Sequence, residues 1–380
     1  MRLVCVAPVP YSSFAQRPHQ MVAWFNECAN SRTLWINPYP GRLPRVSDFK
    51  RPRPQAHQHA DGQVEVLSPP HWVADPLLAA SGAGRVVWRG TLKRVRSFVE
   101  GRRWLLLIGR PSLLALHLLR TASPNVSVYD AMDDFPEFYS GLSRALSRSV
   151  ERRIASRVQT VLVSSSALRQ KFDRLGVAEV ELLRNGLDGE WPQARGASGA
   201  PPVFGYVGTI GPWFDWALIN EMAQSLPDVR FEIIGPIVTP PTAPLPDNVH
   251  LAGECIHQEV PNKLLGFTAG LIPFAANSLT EAVDPIKYYE YRAAGLPVLS
   301  TAFGEMRQRT AEPAVHLIRG GMDFPDLRKR VVAQPPNSTD ELARFRQENA
   351  WRSRFEESRF LSAQAAIQPS AATGCSHSPR

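Results

Sequence analysis

Residues 281–301 read EAVDPIKYYEYRAAGLPVLST, a loop, a short helix, a glycine stop and a buried strand. Asp284 is a good N-cap, and Pro285 suits the first helical position, where its missing N–H costs nothing. Gly295 supplies a left-handed stop, Pro297 bars continuation, and residues 298–300 form a short apolar strand. Lys287 falls in the first turn, beside N–H groups with no partner inside the helix. A helix start with a cation beside it suits a diphosphate. Glu290 lies three residues on, so it shares that face. Its carboxylate can accept two hydroxyl donors, as from a ribose. The alternative is an ordinary surface ion pair. Against it, the element sits between apolar segments 270–274 and 298–300 in a sparsely charged part of the chain.

Around this element the second half of the chain alternates strand and helix. Residues 203–207 read as a strand, Gly208-Thr209-Ile210-Gly211 as a loop, 215–225 as a helix and 230–234 as a strand. Residues 249–252 lead to Gly253 and Glu254, a carboxylate at a strand end, and 271–274 and 315–318 are further strands. Alternation at this spacing implies a parallel sheet. Gly208 and Gly211 allow a ligand close to the backbone. A single charged helix is expected over 340–361.

The first half has the same grammar, with strands at 2–7, 33–36, 64–67, 104–108, 126–129, 160–163 and 180–183. The loop after the first strand, residues 8–17, lacks glycine, which excludes the simplest dinucleotide turn. Residues 38–62, dense in proline, arginine and histidine, read as an irregular excursion with His57 and His59 in solvent. The strand ending at Tyr129 runs into Asp130-Ala-Met-Asp133-Asp134. These carboxylates lie past a strand's carboxyl end, where open α/β sheets present their sites. Crowded like charges raise at least one pKa, and a general base needs a tunable pKa. A helix cap or turn carboxylate is the alternative for each aspartate taken singly, and a divalent metal site is the alternative for the cluster.

The chain has 380 residues, 44% hydrophobic, with a formal charge of +8. That length exceeds one ordinary core, and two domains are expected. Their bounds are 1–188 and 203–338, with a Pro/Gly/Ala/Ser linker at 189–202, a crossing helix at 339–362 and a disordered tail at 363–380. Four scattered cysteines show no zinc spacing, no apolar run reaches the roughly 20 residues of a membrane span, and no signal-peptide pattern is visible. A cytoplasmic location is expected. Basic residues crowd 85–110, interleaved with Trp88, Val95, Phe98 and Trp104. Such a segment suits an anionic membrane surface, the alternative being a solvated helix face; no nucleic-acid-binding motif is present.

Taken together, the phrases Arg17-Pro-His-Gln, Tyr129-Asp-Ala-Met-Asp-Asp, Asn185-Gly-Leu-Asp, Gly205-Tyr-Val-Gly-Thr and Pro285-Ile-Lys-Tyr-Tyr-Glu-Tyr-Arg-Ala-Ala-Gly-Leu-Pro-Val resemble those of GT-B glycosyltransferases. The set is similar to the teichuronic-acid-type, family-4-like polysaccharide glycosyltransferases and, more distantly, to the glucuronosyltransferase of xanthan assembly. The resemblance implies an α/β GT-B fold: two Rossmann-like domains facing a cleft, with a C-terminal helix crossing back. It implies transfer of a hexosyl or uronosyl group from a nucleotide-sugar, a UDP-sugar in this reading, to a lipid-linked or cell-surface polysaccharide. By the same resemblance, Glu290 holds the ribose, Lys287 the diphosphate, and Glu254 lies near the base or ribose. Gly208, Thr209 and Ile210 border the phosphates, and Phe274 and Ile286 also belong to the donor site. Asp133 is the general base of an inverting displacement, with Asp134 next in line, and no cofactor or metal is implied. Two features depart from the large retaining family: Ala282 stands where a second glutamate is usual, and residues 209–215 hold neither Arg nor Lys. Lys287 is the candidate replacement cation. Other readings are a sugar-nucleotide epimerase of the same fold and a non-catalytic nucleotide-sugar-binding scaffold subunit.

Overall fold

The computed structural model describes residues 1–41, 57–60 (backbone), 62–70, 74–75, 78–79, 83–189, 191–192 and 201–366. The linker segment 193–200 and residues 367–380 of the expected tail lie outside the described residues. Two parallel sheets organise the chain. The first contains β1 (Arg2–Val6), β2 (Arg32–Ile36), β3 (His57–Ala60), β4 (Val64–Leu67), β5 (Trp104–Ile108), β6 (Val126–Ala131), β7 (Thr160–Val163) and β8 (Val180–Leu182). Its order is β3-β4-β2-β1-β5-β6-β7-β8, with every pair parallel except β3–β4. Part of the supposed excursion is thus an antiparallel edge strand, and His57 and His59 belong to it.

The strands β9 (Val203–Val207), β10 (Arg230–Ile234), β11 (Val249–Leu251), β12 (Ala269–Ile272), β13 (Val298–Thr301) and β14 (Val315–Ile318) form the second sheet, ordered β11-β10-β9-β12-β13-β14. Their continuous apolar runs follow from burial on both faces, which only helix-covered parallel sheets require. Leu34, Leu106 and Val163 pack on one face of the first sheet, Cys5, Trp35 and Leu162 on the other. The second sheet is enclosed by a single core that includes Phe204, Phe231, Ile272 and Leu299.

The C-terminal segment differs from the single helix expected. It forms three helices, Thr339–Asn349, Trp351–Glu357 and Arg359–Ala366, broken at Ala350 and Ser358, both in extended backbone conformation. The break has a tertiary cause. Leu187, just before the linker, donates to the Asn349 carbonyl (2.9 Å) and accepts from the Trp351 N–H (3.0 Å). The chain turns there and crosses back, so that Phe355 meets Trp24 of the first domain at 5.7 Å between rings. Helix also persists to Ala366, past the expected start of the tail.

Residues beyond the carboxyl ends of strands in one domain bond to their counterparts in the other. Asn185, after β8, meets Asp284, which lies between β12 and β13, and Ser166, after β7, donates its N–H to Glu305 (2.6 Å), which follows β13. The carboxyl edges of the two sheets therefore face each other across a boundary, where ligands of open α/β sheets bind.

Candidate functional site

The Ile286–Ala293 helix begins one residue later than Asp284-Pro285 suggests, with Pro285 as its N-cap and no side-chain cap. Asp284 is instead buried. It takes an ion pair from Arg309 (2.7 Å) and hydrogen bonds from the Tyr289 hydroxyl (2.8 Å) and the Asn185 N–H (2.8 Å). A buried Arg–Asp pair is worth more to a carboxylate than a helix cap, which moves the helix start by one position. The helix end follows the sequence, with Gly295 at φ 79°. Tyr291 anchors the helix on the sheet: its ring lies where a Gly270 side chain would be, and its hydroxyl accepts from the Val207 N–H (3.1 Å).

That anchoring brings Lys287 to the loop after β9. A Cβ on Gly208 would stand 2.4 Å from the Lys287 Nζ, so glycine at this position, at φ 143°, leaves room for the ammonium. The ammonium also lies 5.2 Å from the centre of the Tyr206 ring, whose hydroxyl donates to the Thr209 carbonyl (2.7 Å). Among the described residues, the N–H groups of Thr209, Ile286 and Lys287 have no acceptor. The ammonium thus stands against the loop that carries the open Thr209 amide, on a helix whose first two amides are also open, with Glu290 as the charge facing it.

Glu290 is buried, yet its carboxylate takes no hydrogen bond from the described residues. Burial pushes its pKa up, against the pull of the Lys287 and His257 charges. Burial likewise lowers the Lys287 pKa, and the Glu290 charge opposes that shift. A buried carboxylate without donors is costly unless a ligand supplies them. His257 escaped the sequence reading. It stacks on Phe14 of the first domain at 5.7 Å, spanning the two domains beside Glu290.

The other expected donor-site residues separate into backbone and solvent positions. Ile210 and Phe274 are core side chains, so only their main chains are available to a ligand. Ile286 is half-buried and packs against the first domain's core. Glu254 is exposed and joined to neither Lys287 nor Glu290, although Gly253 before it accepts from the Gly235 N–H (2.7 Å) along the same edge.

On the first domain, the three aspartates after β6 have different fates. Asp130 is buried and paired with Arg17 at 2.6 Å, and Arg17 also donates to the Leu183 carbonyl (2.7 Å). Asp134 is ion-paired with Lys171 (2.9 Å), which also binds Glu151 (2.6 Å). Asp133 alone is half-buried with no hydrogen bond to its carboxylate among the described residues. Its pKa is pushed up to about 7, chiefly by burial; Arg17 opposes the rise, and the Asp130 and Asp134 charges add to it. The loop carrying it borders the second domain. Glu137, four residues on, is held down at about 2, because hydrogen bonds from Arg144, Arg148 and Ser278 outweigh its burial. Among the described residues, no three His, Cys, Asp or Glu side chains are placed to hold a metal.

In solved structures, the same two-sheet architecture recurs across nearly the whole chain. A sucrose-phosphate synthase from Thermosynechococcus elongatus superposes with a TM-score of 0.68 at 14% identity, covering 96% of this chain and 99% of its own. Anabaena HepE in complex with UDP and glucose gives 0.63 at 13%, with 96% and 99% covered. A trehalose-6-phosphate structure from E. coli, bound with UDP-2-fluoro glucose, gives 0.59 at 12%, with 97% and 100% covered. The chain has the GT-B fold. At such identities the likeness of this GT-B chain to them is one of architecture. In sequence, it is 29% identical over 263 residues to the "Putative teichuronic acid biosynthesis glycosyltransferase TuaH" of Bacillus subtilis. That match covers 62% of this chain, which spans 64% of the relative's length. No family model matches the chain.

Proposed function

We propose that this GT-B protein is a glycosyltransferase that moves a hexosyl or uronosyl group from a UDP-sugar to a hydroxyl of a lipid-linked or cell-surface polysaccharide. The observation that carries the reading is the Lys287–Glu290 element, with its open amides, ammonium and donor-free carboxylate on one short helix. A diphosphate completes the first group and a ribose the second. The relative's putative role in teichuronic acid biosynthesis, and the UDP in the HepE complex, support the acceptor and donor classes.

Asp133 is the base in this reading. It takes the proton of the acceptor hydroxyl as the oxygen forms a bond to the anomeric carbon. On the opposite face the bond from that carbon to the UDP oxygen breaks, with inversion. UDP leaves with its developing charge held by Lys287 and the Thr209, Ile286 and Lys287 amides. Lys287 thereby replaces the cations missing from residues 209–215, and no metal is required.

The membrane is met chiefly by charge, with Val86 exposed among the arginines. Trp88, Val95 and Phe98 of the basic segment point into the core, while Arg85, Arg89, Lys93, Arg96, Arg102 and Arg103 are exposed, as a peripheral contact with an anionic cytoplasmic leaflet requires. No helix among the described residues is long and apolar enough to cross a membrane.

Incubation with UDP-sugars, with and without lipid-linked acceptor, tests the proposal. Acceptor-dependent UDP release with a new glycosidic bond is expected. A changed sugar on UDP without acceptor would identify an epimerase instead, and binding without turnover a scaffold subunit.

A further inference from the structure

At the opposite, amino edge of the first sheet, three arginines crowd together beside a single carboxylate, Glu65. Arg2 and Arg32 are in direct register on neighbouring parallel strands, so their side chains stand together on one face. That face is the one on which Phe98 lies, and the Arg2 guanidinium sits 5.0 Å from the centre of its ring. Beside them opens a cavity of about 140 Å³ whose lining includes Arg32, Thr33, Gln63, Glu65 and Phe98. Its one carboxylate is already used, since Arg94 engages both oxygens of Glu65. Burial first, and then the Arg32 and Arg102 charges, lower the Arg2 pKa, while the Glu65 charge opposes them. Among the described residues, the side chains of Arg2, Arg32 and Arg102 form no hydrogen bond or ion pair. Like charges held together by strand register cost free energy, which a bound anion recovers.

We propose that Arg2, Arg32 and Arg102 form a second anion site, at the amino edge of the first sheet, that takes a phosphate group beside the cavity lined by Arg32 and Phe98. Its ligand is a phosphate carried either by a lipid headgroup or by a free polyanion. Being on the edge remote from Asp133, it works independently of the donor site and does not depend on the reading of that site. A lipid phosphate there ties the first domain to a membrane while leaving the interdomain boundary open.

The test uses the full chain with two probes, inorganic pyrophosphate and phosphatidylcholine vesicles with or without phosphatidylglycerol. Arg2→Gln/Arg32→Gln is compared with Arg169→Gln/Arg174→Gln, which removes the same charge from an exposed helix elsewhere. The first pair should weaken binding about tenfold or more and the second little, while UDP affinity stays unchanged in both. Arg102→Gln, on an exposed side chain, should act in the same direction without touching the strands. Site-dependent binding of pyrophosphate in solution identifies a free polyanion as ligand. Binding confined to phosphatidylglycerol vesicles identifies a lipid headgroup. Equal losses in the two double variants would reduce the effect to net charge and overturn the site, as would failure to bind either probe.

Discussion

Asp133→Asn should lower turnover and raise stability in the same protein. The Asp133 pKa rises from 3.8 to about 7. As a base it must be ionised, so about 10% of it is active at pH 6 and about 90% at pH 8, and kcat/KM should fall about tenfold per pH unit below 7. Removing the base costs about 10²–10⁴ in kcat. The stability sign is opposite. Between pH 3.8 and about 7 the folded state holds a proton that the unfolded state has lost. The stability this provides is full below the unfolded pKa and is lost as pH rises through about 7. Integrated, the shift sets an upper bound of about 4 kcal/mol, and the water reaching a half-buried side chain reduces it to about 1–3. Asparagine carries no charge, so thermal unfolding at pH 8 should show the variant more stable by that amount. UDP affinity should be unchanged. Normal turnover, a flat pH profile from 6 to 8, or a variant destabilised at pH 8 would each refute the reasoning.

Other substitutions test the frame around the site. Gly208→Ala places a Cβ 2.4 Å from the Lys287 Nζ in a backbone conformation of φ 143°; it should displace the ammonium and weaken UDP binding in calorimetry more than it lowers Tm. Asp284→Asn leaves Arg309 buried without its counter-ion and should cost roughly 3–5 kcal/mol in denaturant unfolding. Arg17→Met strands Asp130 in the same way and should cost a similar amount, and its loss of positive charge should also move the Asp133 limb of the pH profile upward.

Much of the fold was legible because punctuation and pattern agreed. Gly295 and Pro297 stop the 286–293 helix in the structure as in the sequence, and the apolar runs of β5, β12 and β13 could only be buried strands. Distant partners decided what was not legible. Asp284 looks like a cap until Arg309, 25 residues away, claims it. Three neighbouring aspartates look alike until Arg17 takes Asp130 and Lys171 takes Asp134. Ala350 is a good helix former, and only its neighbours' pairing with Leu187 breaks the helix there. Nothing local places His257 beside Glu290. One signal was available but overridden: Trp88, Val95 and Phe98 recur at helical spacing, the mark of a core-facing stripe, and the structure buries all three.

Calorimetric titration with UDP, GDP and ADP, on the native chain and on Glu290→Ala, tests the central claim most directly. Selective binding of UDP is expected, weakened by about 1–3 kcal/mol in the variant as ribose hydrogen bonds to a charged group are lost. Equal affinity in the two proteins, or no binding of any nucleotide, would make the Lys287–Glu290 element structural and contradict the account.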